Sequence, residues 1–328
     1  MSRFIGTSGD VKTCIVEHKP DIPNLLSGDR RSIARAISFV ENESEGSEKF
    51  LSEIYKHTGK AYRIGVTGPP GAGKSTLVNK LAKYFHGQNF TVGIIAVDPT
   101  SPFTGGALLG DRVRMSEVEM VDGVFIRSMA SRGSLGGLSK RTREAADVLD
   151  AAGFDFIFFE TVGVGQSELD IAGAADTTIV VLVPESGDGI QAMKAGLMEI
   201  ADFFVLNKAD RPGAEQAVMF IKMILGFRSH GEHTWLPEVL KSIASEGKGI
   251  DEVAAQISKH KEYLAHSGEF EKRRSAQMKA RIEEIIGNRL AVQFWNAERY
   301  RLLDLQIPSV ISRTHTPYEA AEELLKKK

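Results

Sequence analysis

Short apolar runs separated by amphipathic stretches dominate the middle of the chain. The runs fall at 63–67, 92–97, 124–128, 154–160, 177–183, 202–206 and 239–244. Each is continuous and rich in β-branched or aromatic residues, as expected of strands buried on both faces. Helical patterns intervene, for example at 76–85, 139–151 and 191–199. Alternation of strand and helix predicts an α/β fold, a mainly parallel sheet flanked by helices and joined by right-handed crossovers. Chemistry then belongs at the carboxyl ends of the strands. Upstream, residues 22–58 read as helical. Ile33, Ile37 and Val40 share a face, as do Phe50 and Ile54, and 41–47 reads as the turn between two helices. Downstream, 261–304 is helical and charged. Met278, Ile282, Ile285 and Leu290 form an apolar stripe, followed by Phe294, with Arg273, Arg274, Lys279, Arg281, Glu283 and Glu284 on the wet face. Such a stripe needs cover, from its own domain or from a second copy. The tail from 316 reads as a short capped helix ending in three lysines. The expected organisation is a helical extension over 1–60, an α/β domain over 61–260 and a helical arm over 261–328.

Residues 68–75 read Gly-Pro-Pro-Gly-Ala-Gly-Lys-Ser, a complete phosphate-binding loop. A strand pattern runs into it and a helical pattern leaves it, which is the context the motif requires. Glycines allow successive backbone N–H groups to turn inward around phosphate, where a Cβ would obstruct. The positive end of the following helix adds to the anion site. The expected phosphate contacts come from Gly71, Ala72, Gly73, Lys74, Ser75 and Thr76. Lys74 should reach the β- and γ-phosphates, and the Ser75 hydroxyl should ligate Mg²⁺.

Directly after the run 202–206 comes Asn207-Lys208-Ala209-Asp210. The Asp210 carboxylate can accept from both the ring imino and the exocyclic amino group of guanine, a pairing that adenine cannot reproduce. Leaving that carboxylate unpaired is costly, so the site discriminates. Asn207 would contact the other edge of the base or hold the loop, and the Lys208 stem would lie over the ring. The segment 242–251 is similar to the last base-contacting loop of GTPases, with Ala244 presenting its backbone N–H to the guanine carbonyl. The implied ligands are GTP and GDP.

Asp98, Asp111 and Glu160 complete the expected metal set with Ser75, since Mg²⁺ prefers octahedral oxygen and keeps several waters. Gly163 stands where a backbone N–H would sense the γ-phosphate. Lys74, Asp111 and Glu160 are the expected catalytic residues, with Glu160 and Asp111 both open as the group that orients the attacking water. Three glycine-bearing loops, 99–115, 161–169 and 184–194, suit segments that order around a γ-phosphate. Arg112, Arg114, Arg132 and Lys194 are available there either to neutralise charge or as solvated cations.

Composition narrows the partners. The 328 residues carry 41 basic and 43 acidic side chains, a net charge of −2. That balance gives no electrostatic case for nucleic acid or an anionic membrane surface. Cys14 is the sole cysteine, so neither an internal disulfide nor a thiolate metal cluster can form within one chain. Residues 1–12 lack the apolar core of a signal peptide, and no apolar run is long enough to span a bilayer. A cytoplasmic location is expected. His230-Gly231-Glu232-His233 has no third ligand nearby and does not read as a metal site.

Five strings stand out together. They are Gly-Val-Thr-Gly-Pro-Pro-Gly-Ala-Gly-Lys-Ser-Thr at 65–76, Ala-Val-Asp-Pro-Thr-Ser-Pro at 96–102 and Thr-Gly-Gly-Ala-Leu-Leu-Gly-Asp at 104–111. The others are Glu-Thr-Val-Gly-Val-Gly-Gln-Ser-Glu at 160–168 and Gln-Ala-Met-Lys-Ala-Gly at 191–196. In these strings the chain resembles the MeaB/ArgK family, P-loop GTPases akin to metallochaperones. The likeness runs from about Leu25 to the tail at 316–321. The resemblance implies slow GTP hydrolysis, a homodimer joined through C-terminal helices, and an adenosylcobalamin-dependent acyl-CoA mutase of methylmalonyl-CoA mutase type as partner. It implies that nucleotide state gates cofactor loading and protects the mutase. It also implies three nucleotide-responsive loops, with Asp188 and Lys194 in the third, facing the partner. The chain departs from the pattern at 184–190, where Glu185 follows Pro184 in place of an expected glycine and Gly189 follows Asp188 in place of an acidic residue. A metallocentre-insertion GTPase fits less well, because no Cys-x-x-Cys or His-rich tract holds metal in transit. An ATPase or kinase associated with amino-acid transport would need an acceptor site and a base that nothing marks. A non-hydrolysing scaffold is the remaining alternative.

Overall fold

A computed structural model describes residues 19–98, 121–130, 140–161, 170–186, 195–227 and 235–326. Within them, all seven expected runs are strands: β1 (Tyr62–Thr67), β2 (Val92–Asp98), β3 (Val124–Ala130), β4 (Phe156–Thr161), β5 (Thr177–Leu182), β6 (Phe203–Asn207) and β7 (Val239–Ser242). They form one sheet in the order β3-β2-β4-β1-β5-β6-β7, and every neighbouring pair is parallel. β4, β5 and β6 are buried at every position, which is why their sequences run apolar without alternation. The helices α1 (Ile22–Leu26), α2 (Arg30–Glu41), α3 (Ser47–Ile54), α4 (Lys74–Gly87), α5 (Lys140–Ala151), α6 (Ala195–Ile200), α7 (Ala214–Leu225) and α8 (Ile250–Ser267) accompany the sheet.

The helical prefix shares the main core. Ile33, Ile37, Phe50 and Ile54 are fully buried and cluster with Ala145, Val148 and Leu149 of α5 and with Ile95, Ile157 and Phe159 of the sheet. Asp29 caps α2, accepting from the Ser32 N–H at 2.7 Å. That backbone hydrogen bond, with the Ser32 hydroxyl, holds the Asp29 carboxyl below its ordinary range. At the other end Arg127 of the edge strand β3 pairs with Glu41 at 2.5 Å and donates to Ser38 Oγ at 3.1 Å.

β1 is pinned at its entry. Arg63 lies 2.8 Å from Asp147 and 3.2 Å from Asp150. Asp150 also accepts the N–H groups of Gly59, Lys60 and Ala61 at 2.8–3.0 Å. Burial opposes the Arg63 charge, but Asp147, Asp150 and Asp176 outweigh it and hold the guanidinium protonated. On the far side of the sheet's amino edge, Thr177 Oγ1 lies 2.6 Å from Tyr62 Oη and 2.8 Å from His260 Nδ1, which fastens α8 to β1 and β5.

This compact unit ends at Gly268, and Glu269–Lys328 form a second. The second unit holds α9 (Glu269–Phe294), α10 (Ala297–Ile311) and α11 (Pro317–Lys326). The expected capping of the last helix is present: Glu319 accepts the Thr316 N–H at 2.8 Å while Thr316 Oγ1 accepts the Glu319 N–H at 3.2 Å. No residue of α9 is buried, and Ile282 and Leu290 of the predicted stripe are 51% and 60% exposed. Among the described residues, no helix is long and apolar enough to cross a membrane.

Candidate functional site

β1 delivers the glycine-rich loop to the carboxyl edge of the sheet. Thr161 of β4 donates its hydroxyl to Thr67 at 3.0 Å, which joins the ends of two neighbouring strands just before the loop begins. Gly68 has φ +136° and Gly73 φ +87°, and a Cβ at either would collide, with the Val181 carbonyl or with the Asn207 amide respectively. α4 starts at Lys74 with no side-chain cap and no acidic residue in its first turn. Its positive end is therefore left to an anion, as the sequence predicts. Thr76 sits exposed in that first turn.

Lys74 is buried, with its Nζ donating to the Gly68 carbonyl at 2.8 Å and to the Pro69 carbonyl at 3.0 Å. The ammonium thus folds over the loop that would hold phosphate. Ser75 Oγ donates to Glu160 Oε1. Glu160 is 5% exposed and stands on β4 opposite Val66 of β1 and Ala96 of β2. A hydroxyl and a carboxylate therefore meet at one buried point beside the phosphate loop. Both are hard oxygen donors, the class that Mg²⁺ selects. Asp98 closes β2, one residue beyond the Val97–Thr161 pairing. The Asp98 side chain, Asp111 and Gly163 lie outside the described residues, as do Arg112, Arg114, Arg132, Asp188, Lys194 and the 230–233 motif. Among the described residues no group of three or more His, Cys, Asp or Glu side chains is placed to hold a metal.

The second half of the site forms after β6. Asn207 is 3% exposed. Its Nδ2 donates to the Ala72 carbonyl at 2.8 Å, while its Oδ1 accepts from Ser242 Oγ at 3.1 Å and from the Ala244 N–H at 3.0 Å. Of the two roles open to Asn207, the structure places it in loop holding: one amide ties the phosphate loop to the exit of β7. The Ala244 N–H, expected to face guanine, donates to Asn207 Oδ1 in this structure, which places it beside the turn that carries Asp210. Lys208 turns the chain with φ +57°, Ala209 donates to the Ser242 carbonyl at 3.1 Å, and Arg211 donates to the Lys208 carbonyl at 3.0 Å. Asp210 is left exposed at the tip of that turn.

Two side chains join this region that sequence reasoning missed. Lys248 lies across a two-way backbone bridge to Ile243. The Glu246 carboxylate, by hydrogen bond and charge, holds the Lys248 ammonium above its ordinary range, and the charge of Asp210 adds to that. Glu185, in the 3-10 turn Pro184–Ser186 after β5, accepts a hydrogen bond from Arg211 Nη1. A lysine in a Glu-Gly-Lys-Gly stretch and a glutamate after a proline carry no local signal of such placement.

The family model described as methylmalonyl Co-A mutase-associated GTPase MeaB matches residues 33–299. The chain is 47% identical over 307 residues to a putative GTPase of Pyrococcus abyssi, covering 93% of this chain and 95% of that one. It is 36% identical over 314 residues to the GTPase ArgK of Escherichia coli, covering 92% and 94%. A solved structure described as an LAO/AO transport system kinase superposes with a TM-score of 0.70 at 31% identity, covering 93% of this chain and 95% of that one.

Proposed function

The chain belongs to the MeaB family and is a GTPase that binds guanine nucleotide, and from that premise we propose that its hydrolysis of GTP to GDP gates cofactor loading and protection of an adenosylcobalamin-dependent acyl-CoA mutase. The observation that carries this reading is the match of a mutase-associated GTPase family over 33–299, which takes in the whole sheet and both halves of the site. The partner is of methylmalonyl-CoA mutase type, and the chain works in the cytoplasm as a homodimer through its C-terminal helices. The exposed Ile282, Ile286 and Leu290 of α9 are the kind of surface a second copy would cover.

In this reading the loop N–H groups of 71–76 hold the phosphates and Lys74 neutralises β- and γ-oxygens. Two of its three donors already fix where the ammonium sits. Ser75 and Glu160, with Asp98 and Asp111, would hold Mg²⁺, which when bound neutralises charge on the bridging phosphate oxygens. Glu160, at the buried end of β4, or Asp111 would orient the attacking water. Asp210 selects guanine, and Asn207 keeps the base turn and phosphate loop at a fixed separation. Catalysis of this kind is positional and electrostatic, with no covalent step on the protein.

Turnover of GTP measured alone and with a methylmalonyl-CoA mutase apoenzyme tests the proposal. The expected result is co-elution of the two proteins and a changed turnover rate. A mutase that neither co-elutes nor alters turnover overturns it. The kinase description of the structural relative supports a second reading, phosphotransfer linked to transport. Release of all γ-phosphate as inorganic phosphate counts against that reading.

A further inference from the structure

A nucleotide held by this fold spans from the loop after β1 to the turn after β6. The sheet order places β5 between those two strands. The segment leaving β5 therefore emerges between the phosphate half and the base half of the site. That segment is the turn Pro184–Ser186, and it carries Glu185.

Glu185 reaches sideways to the base turn. Its Oε1 accepts from Nη1 of Arg211, the residue that follows Asp210. Arg211 in turn closes the turn on itself, its N–H donating to the Lys208 carbonyl at 3.0 Å. The hydrogen bond from Arg211 lowers the Glu185 carboxyl below its ordinary range, and the charges of Arg211 and Lys208 add to that effect. The carboxylate thus stands against Arg211, the cation that directly follows Asp210.

We infer that Glu185 is a positioning residue of the base site: it braces the 208–211 turn through Arg211 and so links the loop after β5 to guanine recognition. This rests on the assignment of 207–210 as the base site. Coupling is reciprocal, so whatever shifts the Pro184–Ser186 turn alters guanine affinity, and guanine nucleotide biases that turn by the same factor. Glu185 and Arg211 are 50% and 46% exposed at the side chain, so the link is modest and salt-sensitive.

The test is calorimetric titration of the full chain with GDP and with IDP, which lacks the 2-amino group that Asp210 would read. Wild type, Glu185→Gln, Arg211→Gln and the double variant are compared at low and high salt. Each single variant should weaken GDP binding about three-fold at low salt, and the double should be no worse than either single. The preference for GDP over IDP should fall in all three, and the differences should fade in high salt. Additive losses, or an unchanged GDP/IDP ratio, overturn the inference, because a merely structural pair would leave base discrimination intact. Asp210→Asn, titrated with XDP, separates the two levels. If it fails to switch preference, the base assignment falls and the inference with it. If it switches while Glu185 and Arg211 act independently, only the inference falls.

Discussion

Asn207 offers the sharpest test of how the two halves of the site are joined. Asn207→Ala deletes three hydrogen bonds, to the Ala72 carbonyl, the Ser242 hydroxyl and the Ala244 N–H. Ser242 and Ala244 are 2% and 1% exposed, so their groups cannot turn to bulk water. At about 1 kcal/mol net for each hydrogen bond, the unfolding free energy without nucleotide should fall by about 3 kcal/mol. Asn207→Asp is the more informative change. It keeps an acceptor for Ser242 and Ala244, but an oxygen now faces the Ala72 carbonyl across 2.8 Å and a carboxylate is buried where Asn207 is 3% exposed. Stability should then fall by about 3–5 kcal/mol, while the displaced loop loses GDP affinity by about 10- to 30-fold, equivalent to about 1.4–2 kcal/mol. Urea unfolding without nucleotide and calorimetric GDP titration read the two terms separately. An Asp variant that binds GDP within about threefold of wild type would show that Asn207 does not set the phosphate loop.

Lys74→Ala should weaken GTP binding by at least about a hundredfold, since a buried cation serving phosphate is lost, and retained affinity by calorimetry would refute its role. Glu160→Gln should raise the Mg²⁺ concentration needed for half-maximal turnover by about tenfold or more while leaving nucleotide binding without metal within a few-fold of wild type; an unchanged Mg²⁺ requirement would remove Glu160 from the metal set. Asp150→Ala strips three backbone N–H groups and Arg63 of their shared acceptor, so unfolding should become easier by about 3–5 kcal/mol, and a loss under about 1 kcal/mol would contradict the pinning of β1. The Asp29 carboxyl is lowered in the folded state from an ordinary 3.8, so its capping contribution is full above that value and is lost as pH falls through the lower folded value. Acid unfolding curves of wild type and Asp29→Ala should therefore converge at low pH; a constant offset would contradict the cap.

The strands were legible because burial on both faces leaves an unmistakable apolar run, and all seven expected runs are strands within two or three residues at each end. The phosphate loop was legible because its glycines answer a local backbone demand, visible at Gly68 and Gly73. What local pattern cannot convey is strand order. The meeting of Glu160 with Ser75 was expected from their motifs, and β4 lying beside β1 provides it. Glu185 meets Arg211 because β5 lies beside β6, and nothing in the stretch around 185 encodes that neighbour. The same limit explains Ala244: its place in the loop was readable, but the claim of Asn207 on its N–H arises only when the exits of β6 and β7 are set side by side. For α9, the stripe was readable as a pattern, and none of its residues is buried in the structure.

The way these side chains are satisfied bears on how nucleotide binds. Lys74 already donates to two loop carbonyls and Ser75 to Glu160, while Asn207 spans the phosphate loop and the exit of β7. Binding GTP with Mg²⁺ therefore exchanges hydrogen bonds instead of creating them, and the net gain at each group is the difference between two good partners. The advantage lies in geometry: the ammonium, hydroxyl and amide are held in place beforehand, so little conformational entropy is lost when phosphate arrives. Discrimination between triphosphate and diphosphate must then come from groups that gain a partner only when the γ-phosphate is present. Ser75 and Glu160 touch each other at the buried end of β4. Mg²⁺ held by Ser75 and Glu160 would compete with that hydroxyl–carboxylate contact and would supply positive charge beside the phosphates.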